Sequence, residues 1–296
     1  MGQIKNYRGR FAPTPSGALH FGSIVTALGS YLDAKSNKGK WFVRIDDIDQ
    51  SRNKVDANKI ILEQLGKLGL TWDGPVVYQS QNIGLYEAAI KKLEEFNYTF
   101  PCTCTRQEVR NQIYPGTCRY KNNIQNQKHS IRIKTENIQI SISDRLQNNY
   151  TQTMDSEVGD FIIKRSDDYF AYQLATTVDD NEQKITDIVR GFDLLDSTTK
   201  QVFLQNKLQY KTPRYLHLPI VVDSKGKKIS KADNEIISET SPPEMILVNA
   251  LRFLGHNPPD KIENSDIKTI LDWSIENWHV DSLPKKSKIS YSIQSK

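Results

Sequence analysis

The sequence predicts an α/β fold in which a parallel sheet with crossover helices is split by a β-rich insertion. Three observations predict it. Over the first hundred residues, short apolar runs alternate with amphipathic stretches of helical period. Over 130–143 apolar and polar residues alternate, and 161–175 reads as a hairpin. Beyond 196 a helix and a strand of the first kind return.

The elements follow in order. YRGRFAP (7–13) reads as a short strand ending at prolines. A helix follows from His20 to about Lys38, with Phe21, Ile24, Val25, Leu28, Tyr31 and Leu32 on one face, and Gly39 ends it. WFVRI (41–45) is a second strand that runs into acidic DDID. Residues 55–69 and 84–97 have the pattern of further amphipathic helices. The polar run KNNIQNQK (121–128) reads as a mobile loop. SIRIKTENIQISIS (130–143) alternates apolar and polar residues, as half-exposed strands do. FIIKRSDDYFAYQLA (161–175) reads as a hairpin turning at Ser166, Asp167 and Asp168. A helix near 196–209 and a strand at 215–222 resume the opening pattern. The tail from Ser241 is broken by prolines and reads as helical, with Trp273 and Trp278.

At 296 residues, 37% hydrophobic and 25% charged, the chain can bury a core without disulfides. Its net charge of +5 permits a nucleic-acid partner and equally fits ordinary surface lysines. No window approaches a membrane span, and MGQIKNYRGR has no apolar stretch of a secretory leader. Met1-Gly2 lacks the Ser or Thr that myristoylation wants, because Asn6 stands there. A cytoplasmic protein with no membrane partner is expected. The three cysteines fall within seventeen residues, which argues against a disulfide framework.

RFAPTPSGALHFGS (10–23) is a Pro- and Gly-bearing turn between the first strand and the first helix. Backbone N–H groups and the positive helix end converge at such a turn, which suits phosphate. The chain has neither GxxxxGK[ST] nor GxGxxG, so it is neither a P-loop nor a dinucleotide fingerprint protein. His20 can donate to a phosphate oxygen, and Gly22 lets a nucleotide lie against the backbone. By residue type alone His20 reads as a capping or packing histidine. Downstream, GKKISKADNE (226–235) carries Lys227, Lys228 and Lys231, which alone read as a solvated lysine run.

Together these stretches resemble class I aminoacyl-tRNA synthetases of the glutamate type. Pro13, Thr14, Pro15, Ser16, Gly17, Ala18, Leu19, His20, Phe21, Gly22 and Ser23 stand for that family's HIGH region. Lys228, Ile229, Ser230, Lys231 and Ala232 stand for its KMSKS region. RIDDID (44–49) resembles its RIEDTD, and WDG (72–74), CTCTR, FAYQLATTVDD (170–180) and IVRGFDLLDST (188–198) extend the likeness over roughly residues 8–235. The resemblance implies a Rossmann-type catalytic domain split into 1–101 and 196–240. An insertion at 102–195 would carry a zinc site and part of the glutamate pocket, and 241–296 would be a short helical C-terminal region. SGALHFGS, YPGTC and a chain ending about sixty residues after KISKA resemble most the group's short paralogues. These act on queuosine-containing tRNA(Asp), so no separate anticodon-binding domain is expected.

The resemblance also implies roles. ATP, with magnesium, would be held by His20, Gly22 and Lys231, with His20 and Lys231 as the catalytic pair. L-Glutamate would be bound by Arg10, Phe11, Ala12, Pro13, Thr14, Asp46, Tyr172 and Arg190. Arg10 would take the side-chain carboxylate with help from Arg190, Asp46 the α-ammonium, and Tyr172 would close the pocket. Residue types alone also allow Arg44 and Arg52 to pair with Asp46 and Asp47, and Tyr172 to be strand core. Three positions depart from the family pattern: Asp46 replaces Glu, Thr14 replaces Ser, and KISKA lacks the final Ser. Cys102, Cys104 and Cys118 suit a structural zinc that wants a fourth ligand, or else are three reduced buried thiols. His129 and Tyr120 are near in sequence, and the resemblance implies Tyr114 instead. The implied reaction is ATP-dependent glutamyl transfer to the queuosine base of tRNA(Asp) by a monomer with one zinc. The alternatives are a truncated glutamyl-tRNA synthetase acting on the 3′ end of tRNA(Glu), a nucleotidylyltransferase, and a noncatalytic tRNA-binding relic.

Overall fold

The computed structural model describes residues 6–105, 107–109, 113–121, 127–223, 226 and 241–291. The KISKA stretch, Lys228 to Ala232, and most of the loop expected at 121–128 lie outside the described residues.

Strand β1 (Arg8–Phe11) pairs in parallel with β2 (Lys40–Ile45), from Arg8 opposite Lys40 to Phe11 opposite Val43. A short β3 (Val77–Tyr78) extends this sheet beyond β2. Helix α1 (Phe21–Ser36) makes the crossover and buries Phe21, Ile24, Val25, Leu28 and Leu32, the face its period predicts. Its end differs in one detail from expectation. Lys38, at φ +53°, is the left-handed residue, and Gly39 is required by space instead. A Cβ at Gly39 would stand 2.7 Å from the Tyr7 carbonyl oxygen.

The second half is also parallel. Strand β9 (Asp187–Gly191) pairs with β10 (Arg214–Leu218) over its whole length, with α5 (Leu195–Leu208) as crossover. On the far edge of β10 come β6 (Gln139–Asp144), parallel, and β7 (Asn148–Thr153), antiparallel to β6. The halves join where the Thr186 N–H donates to the Arg8 carbonyl at 3.0 Å, setting β9 against the free edge of β1. Residues 187–191 precede the boundary expected at 195 yet run in register within this sheet. A separate antiparallel sheet is built from β4 (Thr99–Cys102), β5 (Ser130–Ile133) and β8 (Phe161–Lys164). Helices α2 (Ala57–Lys67) and α3 (Ile83–Glu95) follow the predicted spans closely.

The hairpin expected over 161–175 forms its first arm and its turn, with Asp168 left-handed at φ +67°. Its second arm is a single bridge from Phe170 to Lys164. Helix α4 (Tyr172–Glu182) then begins, because Leu174, Ala175 and Val178 repeat at helical spacing and are buried on one face. Tyr172 is therefore the first residue of a helix and not strand core.

The tail is helical as expected, with α6 (Pro243–Phe253), α7 (Asp260–Glu263) and α8 (Ile267–Glu276). Phe253 meets Phe21 edge-on at 6.2 Å, which packs α6 on α1. Buried Asp33 on α1 gathers the tail and the insertion. It accepts from Trp278 Nε1 (3.1 Å), from both Arg145 Nη atoms (2.6 and 2.9 Å) and from the Tyr7 hydroxyl. A last pair, β11 (Ile220–Val222) with β12 (Lys288–Ser290), is parallel. Among the described residues no helix is long and apolar enough to cross a membrane.

Candidate active site and thiol cluster

Open parallel sheets bind ligands outside the carboxyl ends of their strands, where the crossover direction reverses. Here that point lies between β1 and β9, and a cleft of about 510 Å3 opens there. Residues 10–14 and 16–20, with Gly22 and Ser23, line one wall. Residues 189–191, Asp193 and Leu194 line the other, residues 219–221 lie below, and Asp46, Arg52 and Tyr172 complete it. Every residue expected to touch glutamate is therefore in one cleft with His20 and Gly22. Of the motif residues 13–23, Pro15 and Phe21 are not in the lining, and Phe21 instead stacks on Tyr291 at 4.4 Å.

The turn owes its shape to Gly17, whose φ of +127° a side chain would resist. His20 is the N-cap of α1: its Nδ1 accepts from the Ser23 N–H at 3.2 Å. A Cβ at Gly22 would sit 3.2 Å from the His20 ring, so that glycine lets the imidazole fold back over the helix start. The capping reading and the cleft reading of His20 thus describe one residue in one place.

A buried ion network holds the opposite corner. The Arg10 guanidinium forks onto Asp180, Nε to Oδ1 at 3.0 Å and Nη2 to Oδ2 at 3.1 Å. Arg44, with no exposed surface, donates to Asp46 Oδ1 (2.8 Å) and Asp180 Oδ1 (2.7 Å) and stands 3.7 Å from Asp179. Burial works against the Arg44 charge, and the three carboxylates more than restore it. Burial likewise pushes the Asp46 carboxyl up to about 6, against the pull of Arg44. Asp180 stays well ionised: Arg10 and Arg44 outweigh its burial. Asp179 is raised by burial despite Arg44 and donors from Asn82, Gln79 and Tyr86. The Arg44–Asp46 pairing allowed by residue type is realised. Asp47, however, is taken by the Ser80 N–H and hydroxyl at 2.8 and 2.7 Å, leaving Arg52 at the cleft mouth.

Arg190 differs from Arg10. It is 3% exposed, and all its hydrogen-bond partners are neutral: His217 Nε2 (3.1 Å), Gln201 Oε1 (2.8 Å), Thr198 Oγ1 (2.6 Å) and the Leu194 carbonyl (3.4 Å). Among the described residues it pairs with no carboxylate. A buried guanidinium that bonds no carboxylate, at the edge of a cleft, has the chemistry to accept one.

Some of this was open to sequence reasoning and was missed. Asp179 and Asp180 are adjacent acids in a helix whose spacing turns them inward, and buried acids need buried cations. His217 sits in the middle of the apolar strand RYLHL, where a histidine needs a partner on both ring nitrogens. Asp193 lies in the IVRGFDLLDST stretch but was given no role there, and Pro219 and Ile220 carry no pattern that marks them in the sequence.

The three thiols converge. Their sulfur atoms all lie within 4.8 Å of one another, with Cys104 and Cys118 3.6 Å apart. The Tyr114 hydroxyl is 3.3 Å from the Cys102 sulfur and 3.7 Å from that of Cys104, and accepts the Cys118 N–H at 2.9 Å. Zinc–sulfur bonds of about 2.3 Å in a tetrahedron put ligand atoms about 3.8 Å apart, so this cluster could hold such an ion. Neither alternative joins it: His129 bonds the Gln127 carbonyl, and Tyr120 is 89% exposed. Burial raises Cys104 to about 11. Burial also opposes the Cys118 thiolate, but hydrogen bonds from Tyr114 and the Thr103 N–H bring it down to about 7. Arg132 adds positive charge, with Nε 3.3 Å from the Cys102 sulfur and its guanidinium 4.0 Å over the Tyr114 ring.

A family model described as tRNA synthetases class I (E and Q), catalytic domain, matches residues 6–282. The Glutamyl-Q tRNA(Asp) synthetase of Aromatoleum aromaticum is 41% identical over 288 residues, covering 95% of this chain and 91% of the relative. That of Pseudomonas fluorescens is 40% identical over 284 residues, covering 95% and 94%. Among solved structures, glutamate-tRNA synthetase from Elizabethkingia anophelis superposes with a TM-score of 0.82 at 24% identity, over 97% of this chain and 68% of that one.

Proposed function

The chain belongs to the class I tRNA synthetases for glutamate and glutamine, and on that footing we propose that it activates L-glutamate with ATP and transfers it to the queuosine base of tRNA(Asp). One observation carries the acceptor: relatives matched along more than nine-tenths of their length bear the name Glutamyl-Q tRNA(Asp) synthetase. In the first step the α-carboxylate attacks the α-phosphorus, a P–O bond forms, and pyrophosphate leaves. In the second, a hydroxyl of the queuosine cyclopentene ring attacks the activated carbonyl, and AMP leaves with the bonding electrons. No protein nucleophile is required, since alignment and charge neutralisation suffice. The turn at residues 13–20 and the start of α1 face the phosphates, with Lys231 acting on the leaving pyrophosphate. Magnesium accompanies ATP. Arg190 and Arg10 take the side-chain carboxylate, Asp46 the α-ammonium, and Tyr172 borders the pocket. These substrates place the reaction in the cytoplasm.

The test is incubation with radiolabelled glutamate, ATP and tRNA(Asp) with or without queuosine. Label on the queuosine-bearing tRNA(Asp) alone is the expected result. Label on tRNA(Glu) would assign the chain to 3′-end charging instead.

Asp46 gives glutamate binding a pH dependence. Its carboxyl is raised to about 6, so it loses its charge as pH falls through that value. The Michaelis constant for glutamate should hold steady above pH 7 and rise roughly tenfold per unit below pH 6, with that for ATP much less affected. Exchange kinetics between pH 5 and 8 check this.

The thiol cluster is read as a structural zinc site of Cys102, Cys104, Cys118 and Tyr114. The ion would supply the positive charge that makes a phenolate of Tyr114, which burial otherwise keeps protonated. Elemental analysis should find one zinc per chain, and Cys118→Ser should lose it. The melting temperature should then fall by about 5–10 °C, the scale of a few kcal/mol in a chain of this size.

A further inference from the structure

His217 and Asp144 belong to none of the roles above, yet they form a hydrogen-bonded line that ends on Arg190. Asp144, at the end of β6, accepts the N–H groups of Leu146 (2.9 Å), Gln147 (2.8 Å) and His217 (3.1 Å), which fix its carboxylate. That carboxylate meets His217 Nδ1 at 2.7 Å. An ionised carboxylate only accepts, so Nδ1 carries the proton and Nε2 is left as an acceptor. Arg190 Nε donates to it at 3.1 Å, and Arg190 Nη2 donates to Thr198 Oγ1, itself 3.0 Å from Nε2. Strands β6, β10 and β9 thus carry a chain of carboxylate, imidazole and guanidinium that ends at the cleft.

The chemistry of the middle link matters. Arg10 is oriented by Asp180, which also cancels its charge. Arg190 is oriented by a neutral histidine, because burial and the neighbouring guanidinium disfavour the imidazolium more than Asp144 and Asp193 favour it. A neutral acceptor fixes the guanidinium plane and leaves its charge for a substrate. We propose that His217, anchored by Asp144, is a positioning residue that aims Arg190 at the side-chain carboxylate of the amino acid. This rests on the reading of the cleft as a glutamate-activating site.

The experiment is glutamate-dependent ATP–pyrophosphate exchange with His217→Leu, His217→Gln and Thr198→Val. His217→Leu should raise the Michaelis constant for glutamate roughly 10–100-fold, the scale of a lost hydrogen bond to a charged group, with that for ATP within about threefold. His217→Gln presents a carbonyl oxygen to Arg190 and should recover most of the loss. Thr198→Val keeps the side-chain shape and should raise the glutamate constant roughly tenfold, which decides the matter if His217→Leu does not fold. Unchanged glutamate constants, or equal rises for glutamate and ATP, would overturn the proposal. Absence of glutamate-dependent exchange in the unaltered protein would instead overturn the reading of the cleft.

Discussion

Replacing His20 by alanine is expected to lower kcat for glutamate activation by roughly 10²–10³, the cost of losing one preorganised donor to developing charge. The imidazole stands at the start of α1, where the helix dipole and free N–H groups already favour an anion. It also caps that helix through the Ser23 N–H. Losing a cap costs about 1 kcal/mol of stability, far too little to explain such a fall in rate. His20→Asn separates the two contributions. Asparagine is a good N-cap, so the melting temperature should recover while kcat stays low. Pre-steady-state measurement of adenylate formation, with thermal melts of both variants, checks this. A rate that recovered together with stability would mean that His20 only caps.

Arg44→Leu should cost about 3–5 kcal/mol of stability, because it strands three buried carboxylates that the guanidinium now serves. Asp46, Asp179 and Asp180 are each within ion-pair distance of Arg44, whose side chain has no exposed surface. At about 2–4 °C per kcal/mol, the melting temperature should fall by roughly 10 °C or more. Glutamate binding should fail as well. Asp46 already titrates near 6 with Arg44 beside it, and removing that cation moves it higher, so it becomes neutral at pH 7. Raising the pH of the assay should then restore part of the glutamate affinity, a signature that misfolding alone does not produce.

How much of this was legible in the sequence depends on the kind of signal. The α1 face and the parallel β1–β2 pair were readable because period and turn chemistry are local. The thiol cluster was readable from three cysteines in seventeen residues, although only the fold brings the Tyr114 hydroxyl to the Cys102 sulfur. Tyr172 misled because an aromatic run after a turn imitates a hairpin, while the helical repeat that overrides it starts with Tyr172 itself. The Arg10–Asp180 fork spans 170 positions, and nothing in either local stretch names the other. The same holds for Arg190 and His217, which meet across neighbouring strands. Sequence patterns therefore picked out residues that line one cleft, and only the sheet order showed that Arg10 meets a carboxylate while Arg190 meets His217.

The most direct measurement is a crystal structure with a non-hydrolysable glutamyl-adenylate analogue. The phosphate mimic is expected beside His20 at the start of α1, and the side-chain carboxylate bonded to Arg190 or Arg10. An analogue bound outside this cleft, or one whose side chain avoids both arginines, would contradict this expectation.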